Sequence, residues 1–157
     1  MQKIKKILTS FGFAAALLTA APAFADGHLE KAIAARQAVM SLYSFNLGQL
    51  GAMAKGDVAY DAAAASAAAG NLAALAALDQ GAMWPQGSDA TAMPDKTRAK
   101  AEIWSTYPEV SEKSKALADA SAALAMVAGD GLPALQGGIG DVGKSCGGCH
   151  KPFRAPK

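Results

Sequence analysis

Cysteine is scarce in this sequence, and no arrangement typical of an enzyme is present. The 157-residue chain has only two cysteines, Cys146 and Cys149, so any thiol chemistry is confined to one short segment. We find no paired carboxylates, no nucleophile beside a base and no glycine-rich phosphate loop, and therefore propose no catalytic residue. Clusters of β-branched residues are almost lacking and alanine is frequent, which favours helix throughout.

The first 25 residues have the pattern of a secretory signal peptide. Three lysines open the chain, an apolar stretch covers residues 11–21, and Ala23-Phe24-Ala25 supplies a small-x-small cleavage signal. The apolar stretch is too short for a spanning helix. We predict cleavage after Ala25, which leaves residues 26–157 as one domain in the periplasm. A membrane anchor that is never removed is the alternative. No later segment is apolar enough to span a bilayer.

Removing the leader changes the charge balance. The leader holds three of the 15 basic side chains and none of the 13 acidic ones, so the remainder has a slight acidic excess. Such a balance gives no support to a nucleic-acid partner. A chain of this size can bury a single hydrophobic core.

The run Cys146-Gly147-Gly148-Cys149-His150 is typical of a c-type haem attachment site. Two thiols within one helical turn can bond the two vinyl groups of one haem, and the adjacent imidazole can bind the iron as proximal ligand. A disulfide between the cysteines is the competing use of an oxidising compartment, but a thioredoxin-like site needs a βαβ pattern that is missing. Zinc is a weaker alternative because no fourth ligand is evident.

The apolar residues repeat with helical spacing in four long segments. One stripe in the first segment follows steps of four and three residues, as in a bundle helix. We predict a second helix that starts after Asp57 or Tyr60 and runs to about Leu78. A loop should cover residues 81–97, and a short helical piece should follow around residues 98–104. The third helix should run from Pro108 to about residue 129. The stripe of the first segment consists of Leu29, Ile33, Arg36, Met40, Tyr43, Leu47, Leu50 and Ala54.

The last helix should begin around Leu132-Pro133 and carry the haem motif. Its glycines at 137, 138, 140 and 143 lower the helix propensity, so a break there is the alternative. Short turns and one long loop between the four helices predict an all-α protein, an antiparallel four-helix bundle with covalently attached haem near the C-terminus.

These residues together resemble cytochrome c′ and its low-spin relatives, four-helix bacterial cytochromes with haem attached near the C-terminus. The resemblance covers essentially the whole predicted mature chain. A haem motif near the C-terminus separates this family from the mitochondrial-type cytochrome c fold. The matching segments are residues 36–40, 55–56, 60–63, 102–104, 140–145 and 153–154.

The resemblance assigns a role to several residues. It implies that Cys146 and Cys149 form the thioether bonds to one haem c and that His150 is the proximal iron ligand. Arg154, one turn beyond His150, corresponds to an arginine beside the proximal haem face. Arg36 corresponds to an arginine that neutralises a haem propionate, as a charge-assisted pair would. A solvated arginine is the alternative for Arg36.

Met40 determines which function the resemblance implies. In the low-spin relatives a methionine here binds the iron, which raises the reduction potential and suits an electron carrier. In five-coordinate cytochromes c′ this position is apolar and does not bind iron, and the haem takes up nitric oxide or carbon monoxide. Simple core packing is the third interpretation. We favour ligation by Met40 and His150.

The expected partners follow from this assignment. An electron carrier needs redox partner proteins, and a basic rim could steer an acidic one. That rim would consist of Lys144, Lys151, Arg154 and Lys157. Relatives of cytochrome c′ often form dimers through the first two helices, which predicts a homodimer as a further option. No membrane contact is expected after the leader is removed.

Overall fold

The computed structural model describes residues 23–156. Four long helices and one short helix make up this part of the chain, with a 3-10 turn at Gly81–Met83 in the long connection. The predicted all-α four-helix bundle is confirmed. Most of the predicted leader lies outside the described residues, so the domain boundary at residue 25 stays a prediction. The helices are α1 (Ala23–Lys55), α2 (Ala62–Ala76), α3 (Glu102–Ser105), α4 (Glu109–Val127) and α5 (Leu132–Phe153).

Local sequence signals explain where the first two helices end and begin. Gly56 follows α1 with φ of 80°, and its N–H bonds to the Met53 carbonyl while the next N–H bonds to the Ala52 carbonyl. This pair of bonds is a Schellman motif, which favours glycine because the left-handed backbone crowds a side chain. The Asp61 carboxylate caps α2 by accepting a 2.8 Å hydrogen bond from the Ala64 N–H. The second helix therefore begins just after Tyr60, as one of the two predicted starts requires, and stops two residues before the predicted end.

The core lies along the bundle axis, and all four long helices contribute to it. On α1 the predicted stripe is buried or half-buried at every position except Met40. Each fully buried leucine or valine contributes about 1.5–3 kcal/mol of transfer free energy. The largest fully buried apolar side chains are Leu50, Leu72, Leu124, Leu135 and Val142.

Small residues let some helix pairs approach closely, whereas α1 and α5 stay further apart. Ala65, Ala68 and Ala69 on α2 are buried against the core. A side chain at Gly138 on α5 would come within 2.9 Å of a Leu124 methyl on α4. By contrast, α5 touches α1 far less than it touches α4. The bundle is therefore open along the α1–α5 side. The glycines of α5 do not break it, so the predicted alternative of an interrupted helix is wrong.

The long connection folds back to the C-terminal end of α5. The expected helical piece over residues 98–104 was only partly right, because the helix covers Glu102–Ser105 alone. Residues 98–100 are extended instead: the N–H of Lys100 bonds to the Phe153 carbonyl, and the N–H of Ala155 bonds to the Arg98 carbonyl. These backbone bonds to the C-terminal segment prevent a helical turn there. Among residues 23–156, none of the helices combines the length and the apolar character that a membrane crossing requires.

Candidate haem site

The Cys-x-x-Cys-His segment lies near the C-terminal end of α5. Cys146, Cys149 and His150 are all half-buried, and both cysteines are free thiols. Because Cys146 and Cys149 are three residues apart on an unbroken helix, they occupy neighbouring positions on one face. Open space adjoins them, since a Cβ built on Gly147 or Gly148 would meet no heavy atom within 4 Å.

The environment of the two thiols does not favour a metal-thiolate site. Burial raises the pKa of the Cys146 thiol. Burial also raises the pKa of Cys149, the neighbouring Cys146 adds to this, and Lys113 on α4 opposes it. Burial therefore favours the uncharged thiol over the thiolate at both cysteines. Within residues 23–156 no three His, Cys, Asp or Glu side chains are grouped so as to hold a metal ion, so zinc gains no support.

His150 is surrounded by positive charge. Burial lowers the pKa of its imidazole, and the guanidinium groups of Arg154 and Arg98 lower it further. The ring is therefore held in its neutral form, which is the form that binds a metal. Beside it opens a solvent-facing groove, the proximal groove, lined by Arg98, Gly147, His150, Lys151, Arg154, Ala155 and Pro156.

Two observations indicate how α1 lies against α5. The Gln136 side chain donates a 2.7 Å hydrogen bond to the Ala54 carbonyl near the end of α1. Closer to the haem motif, Leu47 and Gly48 of α1 line one open groove together with Gly143 of α5. Moving back along α1 thus corresponds to moving forward along α5, and the two helices are antiparallel.

This alignment directs Met40 and His150 towards the same end of the bundle. His150 comes 14 residues after Gln136, and Met40 comes 14 residues before Ala54. At 1.5 Å per residue, each lies about 21 Å along its helix from the shared contact. Met40 is 38% exposed and is the one member of the α1 stripe that does not pack into the core.

Arg36 is not the solvated arginine that the sequence left open, because only 2% of it is exposed. Its Nη1 donates to the Met83 carbonyl at 3.1 Å and to the Ser88 hydroxyl at 2.7 Å. Its Nη2 donates to the Ser88 carbonyl and, at 3.1 Å, to the Thr97 hydroxyl. The guanidinium also lies 4.5 Å from the ring centre of Trp84. Arg36 therefore holds the long connection onto α1. Within the described residues its Nε–H has no partner, and the propionate role stays a prediction.

The predicted basic rim is smaller in the structure than in the sequence. Lys151 and Arg154 are exposed at the proximal groove, but the Lys144 ammonium pairs with Asp141 at 2.8 Å. Lys157 lies outside the described residues. Sequence reasoning missed Arg98, which joins the groove through backbone pairing with the C-terminal segment. No sequence signal links Arg98 to His150, because the pairing depends on the path of the long connection.

The residues present fit a covalently bound haem. Two free thiols, a neutral imidazole and open space lie at one end of α5, and the bundle is open on the side facing α1. The fold and the site together define a c-type haem protein built on a four-helix bundle.

The comparisons identify the family. The family model for Cytochrome C' matches residues 31–154, so the chain belongs to the cytochrome c′ family. It carries one covalently bound haem c, as members of this family do. Cytochrome c-554 of Cereibacter sphaeroides is 37% identical to it over 139 residues, which cover 87% of this chain and 90% of that protein.

Two solved structures show the same fold. The structure of cytochrome c′ from Rhodobacter Spheriodes has a TM-score of 0.79 and 38% identity, and covers 82% of this chain and 98% of its own. A nitric oxide complex of a mutant cytochrome c prime from Alcaligenes xylosoxidans has a TM-score of 0.70 and 33% identity, and covers 82% of this chain and 97% of its own.

Proposed function

We propose that this protein is a periplasmic electron carrier whose haem iron is bound by His150 and Met40. One observation carries the proposal: Met40 is the one exposed member of the α1 stripe, and it lies towards the same end of the antiparallel α1–α5 pair as His150. When bound, the haem supplies a one-electron ferric/ferrous couple. A thioether ligand favours the ferrous state and so suits a carrier of single electrons.

The exposure of Met40 argues against a role in core packing. A methionine that fills a core gap is buried, as Met53 on the same helix is, with 4% exposed. Met40 instead leaves 38% of its surface exposed. An unpacked thioether towards the same end of the bundle as the imidazole is available to bind iron.

The other site residues support the iron ligands. Cys146 and Cys149 hold the haem to α5, and His150 presents a neutral ring nitrogen. Arg154 contributes positive charge beside that ring, which disfavours the more positive ferric state. We keep Arg36 as the propionate partner, acting through Nε while both Nη atoms hold the long connection.

Gas binding is the second candidate function. The mutant cytochrome c prime seen with nitric oxide shares 33% identity with this chain, and the overall identity to cytochrome c′ and to cytochrome c-554 is nearly equal. In this alternative the iron is five-coordinate, Met40 closes the distal pocket without binding, and nitric oxide or carbon monoxide occupies the sixth position.

Replacing Met40 separates the two functions. The experiment compares visible spectra of the haem-matured wild type, Met40→Ala and the control Met126→Ala, oxidised and reduced, with and without carbon monoxide. Met126 is a suitable control because it is 77% exposed on α4. If the protein is an electron carrier, we expect the wild-type haem to be low-spin and not to bind carbon monoxide. The haem of Met40→Ala should be high-spin and should bind it. A wild type that is already high-spin and binds carbon monoxide would replace the carrier with the gas-binding function.

Location and assembly complete the proposal. The leader pattern supports export to the periplasm, where covalent haem attachment takes place in bacteria. Redox partner proteins would exchange electrons with the haem. A homodimer is supported by exposed apolar side chains on α1, where Phe45 is 67% and Leu42 is 49% exposed. Sedimentation of the haem-matured protein tests the dimer.

A further inference from the structure

We infer that the proximal groove is the docking surface for the acidic face of a protein redox partner, with Arg98, Lys151 and Arg154 as its binding residues. The inference rests on the proposed function, since it concerns how electrons reach the haem. It adds a residue, Arg98, that the haem motif does not contain.

Arg98 is held in place rather than left free in solvent. Its Nε and Nη2 donate hydrogen bonds of 2.9 and 2.6 Å to the Ala155 carbonyl, and the Ala155 N–H bonds back to the Arg98 carbonyl at 2.8 Å. A guanidinium fixed by two bonds loses little conformational entropy when it meets an anion. Its remaining donors are free to bind a carboxylate.

The positive charge of the groove is not neutralised by the described part of the chain. Within residues 23–156, salt bridges neutralise Lys96, Lys100 and Lys144. None of these salt bridges involves Arg98, Lys151 or Arg154, and no carboxylate of the described residues lines the groove. Three cations held together without a counter-charge repel one another, and carboxylates from outside relieve this repulsion.

The position of the groove suits electron transfer. His150 is one of its lining residues, so a partner seated there is adjacent to the proximal iron ligand. Charges around such an opening accelerate the encounter of opposite charges and make it sensitive to salt. The positive charge of the groove therefore favours the binding of an acidic protein surface.

The test follows the oxidation of haem-matured ferrous protein by hexacyanoferrate(III) in a stopped-flow instrument. One electron passes from the ferrous haem to the anion, giving ferric protein and hexacyanoferrate(II). The variants are Arg98→Glu and Lys151→Glu, each of which lowers the net charge by two. Lys55→Glu at the far end of α1 is the matched control. Lys151 is exposed, so its replacement leaves the packing intact.

At low ionic strength we expect Arg98→Glu and Lys151→Glu to slow the reaction about fivefold or more, and the control to change it less than about twofold. Arg98→Lys should retain the rate because it keeps the charge. With the stronger cationic oxidant tris(1,10-phenanthroline)cobalt(III), which takes one electron to give the cobalt(II) complex, both groove variants should react faster. Polyglutamate should inhibit the wild type at concentrations that leave the groove variants unaffected.

If Lys55→Glu slows the reaction as much as the groove variants do, the effect comes from net charge and the inference of a docking surface is wrong. If the groove variants react more slowly with hexacyanoferrate(III) but polyglutamate does not inhibit the wild type, the groove attracts anions and the inference of an acidic protein partner is wrong. These outcomes leave the proposed function intact, whereas a failure of the wild type to exchange electrons with either reagent would overturn both.

Discussion

Replacing Arg36 by methionine should unfold the connection that closes the haem end of the bundle. The guanidinium makes four hydrogen bonds, to Met83, to Thr97 and twice to Ser88, and it stacks on Trp84. These contacts join residues 47 to 61 positions apart in the chain. Their loss would leave buried carbonyl and hydroxyl oxygens without a donor.

The structure sets the expected magnitude. Hydrogen bonds from a charged group contribute about 1.5–3 kcal/mol each, and a cation–π contact about 0.5–2 kcal/mol. Burial opposes this by holding the pKa of the Arg36 guanidinium below its usual range. Because the bonds share one donor group, they are not additive. We expect the free energy of unfolding to fall by about 3–5 kcal/mol, as when one partner of a buried charged pair is removed.

Urea denaturation of haem-matured protein, followed by circular dichroism and by tryptophan fluorescence, measures this change. The control is Gln37→Ala, whose exposed side chain makes one 2.7 Å hydrogen bond to the Lys96 carbonyl. We expect the control to cost less than about 1 kcal/mol. If Arg36→Met costs no more than the control, and amide exchange of residues 81–97 is unchanged, Arg36 does not hold the connection.

Two further changes test other parts of the bundle. The Ser121 hydroxyl is buried in α4 and has no hydrogen-bond partner among the described residues, so Ser121→Ala should raise the free energy of unfolding by up to about 1 kcal/mol. Thermal unfolding measures this, and a clear loss of stability would reveal a partner for the hydroxyl. The Tyr60 hydroxyl donates to the Ala128 carbonyl at 2.8 Å and accepts from the Gly131 N–H at 3.0 Å. Tyr60→Phe should therefore cost about 1–2 kcal/mol in urea denaturation, and an unchanged midpoint would refute this bridge.

Met40 shows what helical periodicity predicts and what it does not. The stripe on α1 correctly indicated which residues share one face, since that depends only on 3.6 residues per turn. Core packing was one of three interpretations of Met40, yet Met40 is the one exposed member of the stripe. Burial depends on whether another helix lies opposite, and α5 packs less closely against α1 than against α4.

The sequence by itself determined the helices, the four-helix class and the haem motif, because each depends on residues close together in the chain. Apolar spacing defines a helix face, and two cysteines three residues apart beside a histidine define a haem attachment site. The tertiary structure alone decided that Arg36 is buried under the long connection, that Met40 and His150 lie towards the same end of the bundle, and that Arg98 lines the proximal groove. These follow from hydrogen bonds between residues more than fifty positions apart, whose meeting depends on how the helices pack and where the connection runs.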